Sequence, residues 1–201
     1  MHAIHHTEAI VIRSEPSGEA NKRVWLFTRE FGLVIAMVQG VRKPEAKLQS
    51  QINDYSVINA DLIRGKSTWR LVSATVVAVP LQEKKRPVRQ DSAQGRQPLA
   101  RAYVRTLAFL ERFLVGEGMH EELFDHILAI GVMVQKGEHD ARIVDALSLW
   151  KMLALLGYIA IDENEEQLFT LPFVEAVLLV DEPQIKKLVK SATDAITSSH
   201  L

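Results

Sequence analysis

Two hydrophobic periods divide the chain. Up to about residue 80, apolar positions come in short β-type runs separated by turn chemistry. Glu8–Arg13 (EAIVIR) is rich in β-branched residues and stops at the turn cluster Ser14-Glu-Pro-Ser-Gly18. Lys22–Arg29 (KRVWLFTR) follows and ends at Glu30-Phe31-Gly32, where glycine permits a positive φ. Leu33–Val38 is closed by Gly40, and Tyr55–Ile63 and Thr68–Val79 are joined by Arg64-Gly65-Lys66-Ser67, a hairpin connection. Five short strands with no long helix between them predict a closed sheet, because closure removes exposed edges. A five-stranded oligonucleotide-binding (OB) barrel and an SH3-like barrel both satisfy the pattern, and the period does not separate them.

Beyond the barrel the spacing turns helical. Pro98–Leu114 sets Leu99, Ala102, Tyr103, Leu107 and Leu110 on one face, with Pro98 suited to a first turn. Glu121–Gln135 and Ala141–Tyr158 continue the pattern. Asp181 is placed to cap a last helix running to about Ser198, with Pro183 early in it. The polar stretch 81–97, with Pro87 and Gly95, is expected to connect the two parts. The expected organisation is therefore α+β: a barrel over 1–80, a basic connection over 81–97 and an all-α domain over 98–201.

Charge sharpens this division. Residues 1–112 carry 18 Lys and Arg against 10 Asp and Glu, a balance of +8. Residues 113–201 carry 6 against 15, or −9, and together these give the net −1 of the 201-residue chain. A basic half suggests a polyanionic partner, and an acidic half suggests a separate task. Two solvated surfaces of opposite sign are the plainer alternative. The absence of cysteine excludes disulfides, thiolate zinc sites and iron–sulfur clusters. The longest apolar run, Met152–Ile161, has ten residues, too few to span a bilayer, and the first residues lack the pattern of a signal peptide. A soluble, cytoplasmic protein is expected.

Catalytic signatures are missing. GxGxxG, GxxxxGK[ST] and GxSxG are all absent. His120 and His126 stand six residues apart, about 240° around a helix, where they do not share an ion. A surface pair between Glu122 and His126 is the simpler expectation. His2, His5 and His6 fall at an end expected to fray. No catalytic group, metal or cofactor is predicted.

The second strand carries more. Alternation sends Arg23, Trp25, Phe27 and Arg29 to one face and Val24 and Leu26 to the other. Aromatic rings on which bases stack, flanked by cations for phosphates, suit single-stranded nucleic acid. Under the competing assignment, narrowly favoured for Trp25, the two rings fill the barrel and Val24 and Leu26 pack beneath helices; the arginines are exposed on both. Further basic groups are Arg42, Lys43 and Lys47 after the third strand, Arg64 and Lys66 at the hairpin tip, and Lys84, Lys85 and Arg86 in the connection. Trp69 and Arg70 extend the hairpin group if Trp69 is not core. On the helix from Pro98, Arg101, Arg105 and Arg112 form one stripe beside Ala108 and Phe109, a face suited to phosphates or an acidic-hydrophobic peptide, or simply to water.

The amino-terminal part resembles the RecO family of bacterial recombination mediators. The resemblance lies in Glu8-Ala-Ile-Val-Ile-Arg13, Gly18-Glu19, Leu26-Phe-Thr-Arg-Glu-Phe-Gly32, Gly40-Val-Arg-Lys43 and Trp69-Arg-Leu-Val-Ser-Ala74, over about the first 78 residues, with Ser199-His-Leu201 similar to the family's ending. It implies an OB-fold followed by a helical domain. It also implies binding of single- and double-stranded DNA, annealing of complementary strands, and recombinase loading with RecR on DNA coated by single-strand-binding protein. The chain departs from the family in lacking the four-cysteine zinc module of many members; the acidic Asp162–Glu166 stands roughly at its place, and the chain is shorter than most relatives. An OB-fold interaction adapter without DNA binding is the alternative function.

Overall fold

A computed structural model describes residues 3–41, 47–66, 68–81, 90–114 and 116–199, with backbone alone at Lys47 and 90–96. It contains five strands, β1 (Ile4–Ser17), β2 (Asn21–Thr28), β3 (Gly32–Val38), β4 (Val57–Arg64) and β5 (Trp69–Ala78). A short 3-10 turn at Lys47–Ser50 lies between β3 and β4. The helices are α1 (Gln90–Phe113), α2 (Glu121–Lys136), α3 (Ala141–Leu155), α4 (Glu166–Thr170), α5 (Phe173–Leu179) and α6 (Glu182–Ser198).

The strands close into a barrel in the order β1-β2-β3-β5-β4, antiparallel throughout except for the β3–β5 pair. This is the OB arrangement, and it resolves the choice that the hydrophobic period leaves open. Alternation fills the interior from every strand: Val11, Leu26, Val34, Ala60 and Leu71 all belong to one buried cluster. Gly32, at φ 65, turns β2 into β3, and the Thr28 hydroxyl fixes that turn by donating to the Gly32 carbonyl and accepting from the Phe31 amide, both at 3.0 Å.

β1 starts four residues before the predicted Glu8. His5 and His6 are therefore strand residues and not a frayed end: His5 meets the edges of Phe31 and Trp69 at 5.2 and 5.5 Å, and His6 Nδ1 lies 2.6 Å from Asp61. His2 lies outside the described residues.

The chain forms two compact units, Met1–Leu81 with Leu114–Phe124, and Gln82–Phe113 with Asp125–Leu201. The sequence expectation places 114–124 in the helical domain. It groups with the barrel because the Gly118 amide donates to the Phe31 carbonyl at 3.1 Å and Glu117 forms a β-bridge with Gly32. A methyl group on Gly32 would lie 2.5 Å from the Gly118 carbonyl oxygen, so only glycine admits this approach.

In the second unit, α1 begins at Gln90, which puts Pro98 inside the helix rather than in its first turn. Asp140 caps α3 through the Arg142 amide, and α3 stops before Gly157, whose φ of 80 suits a helix end, so Tyr158 falls beyond it. Asp181 caps α6 and Pro183 lies in its first turn, as the sequence predicts, and Gln184 completes a capping box with Asp181. The short helices α4 and α5 are not foreseen.

His126 is the main surprise of this unit. It is 4% exposed, so it forms no surface pair with Glu122. Its Nε2–H donates to the Ser148 carbonyl at 3.0 Å, and its ring meets Phe173 edge-on at 4.8 Å. Burial pushes its pKa down to about 4, against the pull of the Ser148 carbonyl and with added repulsion from Lys151. Among the described residues no helix is long and apolar enough to cross a membrane, and no cluster of three or more His, Asp or Glu is placed to hold a metal ion.

Candidate nucleic-acid interface

Strand alternation pairs β2 residues by face as expected, but the faces are assigned the other way from the barrel-filling alternative. Val24 and Leu26 enter the barrel core; Trp25 and Phe27 point outward. Neither ring is open on that outer face. Phe27 is wholly buried and packs on Phe124 at 5.5 Å, so it offers no surface to a base. Trp25 is 7% exposed, and the Arg13 guanidinium carbon sits 3.4 Å from its ring centroid.

Arg29 also departs from expectation. Its Nε–H donates to Glu8 Oε2 at 3.0 Å, its NH1 lies 3.8 Å from Glu121, and its guanidinium covers Phe124 at 4.7 Å. Its side chain is only 23% exposed, because the strand ends beneath the 114–124 segment and the cation is enclosed by that packing. Arg29 is therefore a structural cation of the barrel unit.

The hairpin tip is divided in the same manner. Arg64 is exposed but tied to Glu117 Oε2 at 3.0 Å, while Glu117 Oε1 accepts from Trp69 Nε1–H at 2.8 Å. Trp69 belongs to the barrel core. Lys66 and Arg70 remain at the surface.

Register supplies what the linear pattern does not. Arg23 on β2 stands across from Met37 on β3, and Met37 stands across from Arg70 on β5. Arg23 and Arg70 are exposed. With strands ~4.8 Å apart, their backbones are about 10 Å apart with one thioether between. The adjoining row sets Arg13 of β1 beside Trp25 of β2 and Ile35 of β3, and Ile35 is 46% exposed. Cations alternating with apolar groups thus cover the outer face of β2, β3 and β5. Phosphates pair with such cations, while sugars and bases lie on the apolar groups between them. Oligonucleotides bind this face and the flanking loops in OB-folds generally.

Arg13 and Met37 are absent from the sequence-based set. Met37 is legible only once β3 and β5 are known to run parallel, and Arg13 only once the strand irregularity beside it is seen. Arg42, Lys43, Lys84, Lys85 and Arg86 lie outside the described residues, as does the side chain of Lys47. On α1, Arg101, Arg105 and Arg112 are exposed as one stripe, but Arg105 is paired with Asp145 and Arg112 lies 5.7 Å over Phe113.

The family described as Recombination protein O N terminal matches residues 1–78. A DNA repair protein RecO of Desulfitobacterium hafniense (strain DSM 10664 / DCB-2) is 36% identical over 64 residues, 32% of this chain and 23% of that protein. One from Nocardioides sp. (strain ATCC BAA-499 / JS614) is 25% identical over 160 residues, 69% of this chain and 64% of that protein. One from Bacillus cytotoxicus is 49% identical over 43 residues, 21% of this chain and 17% of that protein. In each case the match spans less than two thirds of the relative's length.

Proposed function

We propose, from the match of residues 1–78 to the RecO family, that this chain has a role in DNA repair and recombination and acts there by binding DNA rather than by catalysis. The observation that carries the reading is the Arg23–Met37–Arg70 row on the outer barrel face. Single- and double-stranded DNA both carry phosphates that such a row of cations engages, so both bind. Screening two backbones at once lets the protein anneal complementary strands without nucleotide or metal. Recombinase loading with RecR on DNA coated by single-strand-binding protein follows as its place in repair, next to the nucleoid in the cytoplasm. The Arg101, Arg105 and Arg112 stripe on α1 is the surface offered to an acidic-hydrophobic partner segment.

The adapter alternative gives up DNA binding but keeps the fold. Titration of oligo-dT at two salt concentrations separates the two, because phosphate binding releases counterions. A double charge reversal, Arg23→Glu with Arg70→Glu, is expected to weaken binding of all sequences and to reduce the salt dependence. Unaltered binding by that variant, or no binding by the parent in low salt, refutes the proposal. Strict dependence of annealing on ATP refutes its non-catalytic part.

A further inference from the structure

The pairing of β1 with β2 slips by one residue between Val11 and Arg13. Before the slip, Val11 faces Leu26, and both lie in the core. In a regular ladder Ile12 would face Trp25, and Arg13 would face Val24 and point into the barrel. The bulge at Ile12 instead carries Arg13 across from Trp25, on the outer face.

The backbone is built to hold this slip. Past Ile10, the β1–β4 ladder gives way to two bonds around Val11: its amide donates to the Ser56 carbonyl at 2.9 Å, and its carbonyl accepts from the Tyr55 amide at 2.6 Å. Tyr55 has φ 68, and among the described residues it is the one non-glycine residue in that region. Left-handed backbone at a bulky residue costs roughly 1–3 kcal/mol and persists only where surrounding structure enforces it. The bulge re-aims a side chain against that cost.

The side chain re-aimed is a planar cation laid on an indole. The Arg13 guanidinium carbon is 3.4 Å from the Trp25 ring centroid, the spacing of a stacked pair. Its NH1 donates to Glu15, which fixes rotation within the plane. A third of the Arg13 side chain is still exposed, at 33%, whereas Trp25 is 7% exposed. The indole is thus the buried member of the pair and Arg13 the partly exposed one.

We infer that Arg13 is the base-stacking element of this face, taking an unpaired base of single-stranded nucleic acid on the plane of its guanidinium, with Trp25 as a positioning residue beneath it. Guanidinium planes stack bases as aromatic rings do. A second cation, the Arg23 guanidinium, lies 6.0 Å from the same indole and continues the path toward Met37 and Arg70. The inference rests on the DNA-binding reading above and assigns to one residue the distinction between bases and bare backbone.

The test uses the full chain, oligo-dT, and an abasic oligonucleotide of equal length and charge. The parent is expected to prefer oligo-dT over the abasic strand by roughly fivefold or more, the lower range for one stacked base. Arg13→Lys keeps the charge and loses the plane, so this preference should vanish while binding of the abasic strand is retained. Arg13→Gln keeps a planar group and loses the charge, so the preference should persist while both affinities fall. Misfolding does not move the two variants in opposite directions, and melting temperatures of both are compared with the parent. An Arg13→Lys variant that still prefers oligo-dT overturns the inference, as does a parent that binds the two strands equally. If the parent binds neither strand in low salt, the underlying DNA-binding reading fails instead.

Discussion

His126 makes the acid stability of the helical unit a one-proton problem. Its Nε2–H is committed to the Ser148 carbonyl at 3.0 Å, so a second proton must go to Nδ1, a buried atom with no hydrogen-bond partner. Burial is the main cause that holds the pKa near 4, against 6.5 for an ordinary histidine. The unfolded chain therefore binds the proton first. Stability is full above pH 6.5 and is lost as pH falls from 6.5 toward 4, at up to about 1.4 kcal/mol per pH unit. Integrated to pH 4.5, the loss is about 2.5 kcal/mol, a large share of a marginal fold. The comparison is His126→Gln, whose amide can donate to Ser148 and does not titrate. Denaturant unfolding followed by far-ultraviolet circular dichroism between pH 4.5 and 7.5 measures both proteins. Carboxylate titration contributes to each curve equally, so their difference isolates the histidine. The variant should gain on the parent as pH falls, by the amount given. Parallel curves across that range would show that the ring is not held neutral, and would refute the reasoning.

Three further outcomes follow from the barrel unit and the sequence. Arg29→Ala should cost roughly 1–2 kcal/mol of stability and leave the salt dependence of DNA binding unchanged, since Arg29 is engaged with Glu8 and Phe124; Arg70→Ala should instead reduce the log–log salt slope by about 0.7 on single strands without lowering the melting temperature. Gly32→Ala, in which the added methyl meets the Gly118 carbonyl and the backbone stays at φ 65, should destabilise the barrel unit by about 1–3 kcal/mol or more in a thermal melt. Elemental analysis of the purified protein should find no stoichiometric zinc, and chelation should leave melting and DNA binding unchanged, because a chain without cysteine lacks thiolate ligands.

Where local rules act alone, the sequence is legible. β2, β3, β4 and β5 begin and end within two residues of the positions that alternation and turn residues predict, and the Asp181 cap marks the start of α6. Misreadings arise where a tertiary contact overrides the local signal. The β1 start is missed because three histidines do not look like a strand, yet pairing of Ile4 with Ile63 and His5 with Leu62 extends it. His126 is misread because a polar ring beside Glu122 suggests water, whereas Ser148 and Phe173 enclose it. Segment 114–124 carries no β-type pattern of its own, and it joins the barrel through backbone groups that a sequence does not display.

The candidate interface shows the same limit in sharper form. Alternation states which side chains share a face, but not which face is inside, and at Trp25 and Phe27 the outer face of β2 is buried as well. Large aromatic size argues for the interior, yet Val24 and Leu26 take that place, and Trp25 and Phe27 are buried on the other side of the strand. Charge counting has a matching weakness. The +8 of the first 112 residues includes Arg29 and Arg64, each held by a carboxylate, so it overstates the cations available to phosphate. What remains on the outer face is a short row set by register, Arg23 and Arg70 about Met37, with Arg13 turned out to meet it by a bulge. Each of these placements depends on pairing between strands distant in sequence. A linear pattern contains the residues of the site, and strand register decides which of them meet.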